Sequence, residues 1–306
     1  MKLISDPNFY NPPPFIIEKL AMKEMNKAPP YQREVNLQAV IGTHDNSVDM
    51  KSGLQTLSGI SDATRLIAEA LINERNVDNL THQSNIKTKL KSTFKGSYGQ
   101  NFSIVLNGKD AVNKLRRIGI STFKEIMSYV IAEALYETRL ELSDKAHNRI
   151  EKIAPIVLKL IDKIRSGPLK SAHEVIEKEG VPVVIREKSK SNQTIALLTE
   201  DTAEIIKSRK DNSITEITAF ITRFNIKTGN GRLQIIGEDE TKAFGFSQKY
   251  NDISNSLKNQ ISKNLDGNNT KDEEKWSSLK IRATTIRKSD KSVIKYLIVG
   301  VENAQQ

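Results

Sequence analysis

The stretch LKIRATTIRKSDKSVIKYLIVGV, residues 279–301, decides the fold of the C-terminal part of the chain. Two segments rich in β-branched and aromatic residues flank the short polar sequence SDK, and this pattern predicts a β-hairpin. Upstream, from Ile214, the sequence reads as two strands, a short strand, a helix over about 252–265 and a polar loop. Five short strands separated by turn signals predict a small closed barrel, which we place at residues 212–306.

The preceding part of the chain mixes strand and helix patterns. Val35, Leu37, Ala39 and Ile41 alternate with polar residues and predict a strand, while several later segments carry helical periodicity. We therefore predict an α+β protein in which residues 35–210 form a central α/β domain, with helices packed on a small sheet. Residues 1–34 contain six of the nine prolines. Because proline disfavours helix, we expect a proline-rich extended arm there.

Composition narrows the classes of function. The 306 residues include no cysteine, which excludes disulfides, thiolate catalysis and cysteine-ligated metal centres. The start lacks the apolar run of a signal peptide, and the most apolar internal stretch, 153–164, is interrupted by charges. We therefore expect a cytoplasmic protein without a membrane partner. The net charge of +10 favours an anionic partner, and a lysine-rich solvated surface is the equally weighted alternative.

Residues 86–95, IKTKLKSTFK, alternate between apolar or small residues and lysine, except that Thr93 occupies one of the lysine positions. In a strand this pattern places Lys87, Lys89, Lys91 and Lys95 on one face. Such a face would hold phosphates, and the alternative is an edge strand protected by lysine against aggregation. A second basic group follows at Lys109, Lys114, Arg116 and Arg117 and favours the binding interpretation.

An apolar stripe at helical spacing runs through residues 146–164, where Pro155 should produce a kink. The stripe predicts either a core-facing helix or a helix that packs on a partner. Self-association through this helix or through the N-terminal arm is therefore part of the expectation.

Two further segments carry a family resemblance: TRFNIKTGNGRL at residues 222–233 and KAFGFSQ at residues 242–248. They resemble the first three strands of cold-shock-type, OB-like barrels, to which Phe224, Asn225, Gly229, Gly231 and Phe244 correspond position by position. The remainder of the chain has only a general likeness to bacterial proteins of prophages and mobile islands, which assigns no residue.

In the cold-shock family, aromatic side chains stack on bases and nearby cations hold phosphates. The resemblance therefore implies nucleic-acid contacts from Arg223, Phe224, Lys227, Arg232 and Phe244. The alternative is that Phe224 and Phe244 are core residues, because a barrel of this size must bury its large apolar side chains. The sequence departs from the family pattern where Arg223, Asn230 and Arg232 replace aromatics and where Phe246 replaces a common histidine.

The sequence contains no phosphate-binding glycine loop, no nucleophile elbow and no cluster with metal-ligand spacing. We accordingly assign no catalytic residue, metal or cofactor. The function expected is noncatalytic binding of single-stranded or structured RNA or DNA through a basic face and the barrel. The alternative is a protein-interaction module that acts in phage–host conflict.

Overall fold

The computed structural model describes residues 31–76, 79–94, 98–137, 142–189 and 191–303. The predicted arm lies outside these residues for positions 1–30. Nine α-helices are described: α1 (Met50–Asn73), α2 (Lys109–Ile118), α3 (Ile120–Ala134), α4 (Asp144–Lys152), α5 (Ala154–Ser166), α6 (Pro168–Ala172), α7 (Glu174–Glu179), α8 (Glu200–Lys207) and α9 (Asn255–Asn268). Short 3₁₀ turns occupy Tyr250–Asp252 and Glu273–Lys275. Within the described residues, no helix combines the length and the apolar character needed to cross a bilayer.

Ten β-strands divide equally between two sheets, which confirms the predicted α+β class. The strands are β1 (Gln32–Ile41), β2 (Ile86–Phe94), β3 (Tyr98–Asn107), β4 (Val183–Glu187), β5 (Thr194–Leu198), β6 (Arg209–Phe224), β7 (Gly231–Ile235), β8 (Thr241–Phe246), β9 (Leu279–Arg287) and β10 (Val293–Asn303). The boundary expected between residues 210 and 212 falls inside β6.

The first sheet has the order β2-β3-β1-β4-β5, and each neighbouring pair is antiparallel. The alternation predicted for β1 is present, because Val35, Leu37, Ala39 and Ile41 are all fully buried and pack against the helices. In α1, Gly59 lets α6 approach closely: a Cβ there would lie 2.3 Å from the backbone nitrogen of Ala172. This contact fixes α6 on the body of the domain.

The stripe at residues 146–164 forms two helices, α4 and α5, rather than one kinked helix. The chain breaks at Ile153 because Pro155 lies in the first turn of α5, where proline is tolerated. The six apolar residues of the stripe are at most 2% exposed and belong to the domain core: Ala146, Ile150, Ile153, Val157, Leu160 and Ile164. The core interpretation is therefore correct. The stripe itself leaves no apolar surface for a partner helix, and self-association through the rest of these helices or through the N-terminal arm stays a prediction.

The second sheet is a closed barrel with the strand order β10-β8-β7-β6-β9. The final hairpin, β9 and β10, forms as predicted, and β10 closes the barrel by pairing in parallel with β8. Helix α9 lies between β8 and β9 in the chain and places Ile261 in the barrel core. The interior contains Ile221, Leu233 and Ile281, as the alternation of their strands indicates.

Candidate nucleic-acid interface

A basic groove lies where the barrel meets helices α6 and α8 of the α/β domain. It encloses an open cavity of about 670 Å³, and we call it the junction groove. The residues that line it are Lys170, Lys207, Arg209, Lys210, Asp211, Arg287, Lys288 and Ser289. Six basic side chains thus face one carboxylate.

Strand pairing brings these residues together from distant parts of the sequence. Helix α8 ends at Lys207 and β6 begins two residues later, so the basic run passes directly into the barrel. In the β6–β9 ladder, Arg209 lies opposite Arg287. The groove therefore combines the start of one strand with the end of another.

An irregularity in β6 shapes the edge of the groove. The ladder with β9 is interrupted between Asp211 and Thr215. Asp211 accepts hydrogen bonds from the Ser213 hydroxyl at 2.5 Å and from the Ser213 backbone nitrogen at 3.0 Å. These bonds lower the pKa of the Asp211 carboxyl, which also pairs with Arg287 at 3.1 Å. The carboxylate thus stabilises the bulge while it neutralises one cation.

Ion pairing leaves half of the groove cations without an acidic partner. Lys207 lies 3.3 Å from Glu177, Arg287 pairs with Asp211, and Lys288 pairs with Asp201. The remaining three are Lys170, Arg209 and Lys210, which are exposed and form no ion pair within the described residues. Exposed ion pairs contribute little to stability, so Lys207, whose side chain is 43% exposed, can exchange its carboxylate partner for a phosphate at low cost. The groove is a concentrated positive surface.

A second set of contacts, away from the groove, connects the two parts of the chain. We call it the joint, formed by Glu133, Tyr136, Arg223, Arg232 and Lys295. Arg223 pairs with Glu133 at 2.7 Å, and Arg232 donates from Nη1 to the backbone carbonyl of Tyr136 at 2.8 Å. The Lys295 ammonium lies 4.8 Å from the centre of the Tyr136 ring. Burial in the joint lowers the pKa of Lys295 to about 8.

The joint accounts for two of the residues assigned through the family resemblance. Arg223 and Arg232 are engaged by the α/β domain, and Arg232 is only 9% exposed, with a further hydrogen bond from Nη2 to the Thr241 carbonyl at 2.9 Å. The Arg232 guanidinium faces protein partners only, whereas the Arg223 side chain pairs with Glu133 and is still 39% exposed, so its predicted contact with nucleic acid stays a prediction. The structure thus gives both arginines a role in connecting the two parts.

Phe244 also differs from the role that the resemblance implies. Its side chain is fully buried in the barrel core, so it presents no face on which a base could stack. Gly231 makes this position possible, because a Cβ there would lie 2.3 Å from the Phe244 ring. Phe224 is half-buried, and its ring centroid stacks 5.9 Å from that of Phe244. Lys227 is exposed in the β6–β7 turn.

The predicted lysine face is present on β2, although the strand is irregular. Lys87 and Lys89 are exposed and lie opposite Val105 and Ser103 of β3, on the sheet face away from α1. A bulge follows at Lys91, whose ammonium pairs with Glu34 at 2.8 Å. Lys95 lies outside the described residues.

The lysine face and the junction groove do not form one surface. Strand β2 is at one edge of the first sheet, whereas β5, which leads into α8 and the groove, is at the other. Four strand spacings separate the two edges, which corresponds to roughly 19 Å.

The junction groove was not predicted, although the sequence contains a signal for it. The run KSRK at residues 207–210 and the pair Arg287-Lys288 flank two segments that read as strands. Basic runs of this kind indicate polyanion binding when they meet on one surface. The sequence alone does not show that these two strands are neighbours. Comparison of the chain with models of known protein families, with curated proteins and with solved structures gave no match in any of the three.

Proposed function

We propose that this protein binds nucleic acid without catalysing a reaction and that the junction groove holds the phosphate backbone. The observation that carries the proposal is the convergence of six basic side chains from both parts of the chain on one cavity. Lysine and arginine neutralise phosphates and release counterions, which supplies most of the sequence-independent affinity for nucleic acids. Single-stranded or structured RNA or DNA is the proposed ligand.

The lining of the groove favours contact with phosphates over contact with bases. It contains no aromatic side chain on which a base could stack. Phosphate contacts position a protein on a nucleic acid but do not read its sequence. We therefore expect affinities that vary little with base composition.

An OB-like identity of the barrel is part of the same proposal. It is supported by the closed five-stranded order, the parallel pairing of β8 with β10 and the helix between the third and fourth strands. In this proposal the barrel acts as a rigid wall of the groove, and its buried aromatics stabilise it. The absence of cysteine from the sequence supports a cytoplasmic location, where thiols stay reduced and disulfides are rare.

The test is fluorescence anisotropy with labelled single-stranded and hairpin oligonucleotides at low salt. The variant Lys170→Gln/Arg209→Gln/Lys210→Gln removes the three unpaired groove cations. We expect its affinity to fall by at least tenfold for all the oligonucleotides alike. Lys87→Gln/Lys89→Gln, on the opposite sheet edge, tests the lysine face separately: wild-type affinity would assign the phosphate contacts to the groove, and weaker binding would assign part of them to the lysine face. Equal affinity of the groove variant and the wild type would refute the assignment.

A protein-binding role is the second candidate function. The observation that favours it is an apolar cavity beside the exposed side chain of Leu90 on β2. A role in phage–host conflict would belong to this candidate.

A further inference from the structure

Strand β2 is the open edge of the first sheet, since it pairs only with β3 within the described residues. Its ladder is regular from Ile86 to Leu90 and is then interrupted by the bulge at Lys91. An incoming strand can therefore pair with about five residues before the bulge turns the edge away. This length suits a short extended segment.

An apolar cavity of about 380 Å³ adjoins this regular part of the edge, between β2 and α1. Leu54 and Leu57 of α1, Leu90 of β2 and Phe102 of β3 form its apolar walls. Leu54 is 53% exposed and Leu90 is 64% exposed, although both lie beside the domain core. A cavity of roughly 150 Å³ holds a benzene ring, so this one has room for a large apolar side chain.

The two faces of β2 are complementary to different kinds of side chain on a neighbouring strand. Thr88 and Leu90 lie on the face towards α1, where the cavity is. Strand alternation places Lys87 and Lys89 on the other face, with Lys89 also bordering the cavity, and neither forms an ion pair within the described residues. Directly opposed residues on neighbouring strands share a face. A matching segment therefore alternates apolar residues, which enter the cavity, with acidic residues, which meet the lysines.

Charge also decides against a second copy of this chain as the occupant. Pairing of two β2 edges would place the lysines of one copy near those of the other, and like charges on adjacent strands repel. Lysines and a bulge at an edge are common devices against self-pairing. The same lysines attract a strand that carries acidic residues, so the edge discriminates between partner strands by charge.

We propose that the β2 edge binds an extended acidic–apolar segment of a partner protein by strand addition, with an apolar side chain in the cavity between α1 and β2. The main chain of the segment supplies the affinity through the ladder, and the alternation supplies the specificity. This site is independent of the junction groove and of the proposed nucleic-acid function.

The experiment uses the full chain and a short fluorescein-labelled peptide that alternates leucine with glutamate. Binding should be saturable and should be lost when alternate backbone nitrogens of the peptide are methylated, because methylation removes the ladder donors. A peptide of the same composition with its leucines and glutamates in separate blocks should bind at least tenfold more weakly. Equal binding of the methylated or the block peptide would overturn the proposal, as would an absence of binding to the wild type.

Charge reversal supplies the decisive control. The variant Lys87→Glu/Lys89→Glu should bind the leucine–glutamate peptide with an affinity about tenfold lower, or lower still. It should bind a peptide that alternates leucine with lysine more tightly than the wild type does. Rescue by the lysine peptide separates lost charge from a damaged fold. If the charge reversal leaves the affinity for the leucine–glutamate peptide unchanged but lowers the affinity for an oligonucleotide, the two lysines bind phosphates and the proposal is wrong.

Discussion

Arg223 in the barrel and Glu133 in helix α3 form an ion pair of 2.7 Å that connects the two parts of the protein. Glu133 is 12% exposed at its side chain, so solvent screens this pair less than it screens an ordinary surface pair. The junction groove likewise takes residues from both parts of the chain. The relative placement of the two parts therefore underlies both features.

A double-mutant cycle with Arg223→Gln and Glu133→Gln measures the strength of the joint. We expect a coupling free energy of about 1 kcal/mol in urea unfolding, at the upper end for partly exposed pairs. The pair Lys280–Glu216 is the control, because its side chains are 54% and 55% exposed and its atoms are 3.6 Å apart. Coupling at the joint no larger than in the control would argue against its structural role.

The unfolding free energy should rise with pH above about 8 because of Lys295. Its pKa is about 8 in the folded protein and close to 10.5 in the unfolded chain, since burial in the joint disfavours the charged form. Between these values the unfolded chain binds more protons, so a higher pH favours the folded state. The gain by pH 10 is at most roughly 3 kcal/mol.

Lys295→Met removes this titration and keeps the aliphatic stem. The urea midpoint of the wild type minus that of the variant should increase as the pH is raised from 7.5 to 10. Titrating groups that do not contact Lys295 are common to both proteins and cancel in the difference. Parallel curves for the two proteins would show that Lys295 keeps an ordinary pKa.

Gly231→Ala should disrupt the barrel. The added Cβ would lie 2.3 Å from the Arg223 carbonyl and 2.3 Å from the Phe244 ring, so the backbone or the core must shift. We expect a loss of at least about 2 kcal/mol in denaturant unfolding. Gly267→Ala in helix α9 is the control: nothing lies within 4 Å of its Cβ, and alanine favours the helix. A neutral Gly231→Ala would contradict the packing described for this position.

Phe244→Ala tests whether the ring belongs to the core or to a binding surface. Truncation of a fully buried phenylalanine should cost about 3–5 kcal/mol of stability. Phe244→Leu should retain enough of the core to fold, and its oligonucleotide affinity should equal that of the wild type. A stable Phe244→Leu protein with weaker binding would instead restore the stacking role that the family resemblance implies.

Local patterns predicted the barrel hairpin and the buried face of β1, because alternation within one strand reports burial directly. They left two interpretations of Phe244 open, a stacking residue and a core residue. Ala243, Phe244 and Gly245 are all buried, so alternation in β8 does not distinguish inside from outside. The stripe at 146–164 was recognised as apolar, but only the packing shows that the chain's own core covers it.

The junction groove depends on pairing between residues that are far apart in sequence. Arg209 and Arg287 become neighbours only when β6 pairs with β9, and Lys170 reaches them only because α6 packs against the body of the domain. The periodicity of residues within one segment does not show which strands pair or which helix packs beside them. The two basic runs were visible, but their convergence is a tertiary property.

The salt dependence of oligonucleotide binding tests the central claim most directly. The logarithm of the binding constant for a single strand should fall linearly with the logarithm of the salt concentration, with a slope of about −0.7 per phosphate contact. Lys170→Gln/Arg209→Gln/Lys210→Gln should reduce the steepness of that slope by about 2, which corresponds to three lost contacts. A groove variant with the same slope and affinity as the wild type, or a wild type that binds no oligonucleotide at low salt, would contradict the account.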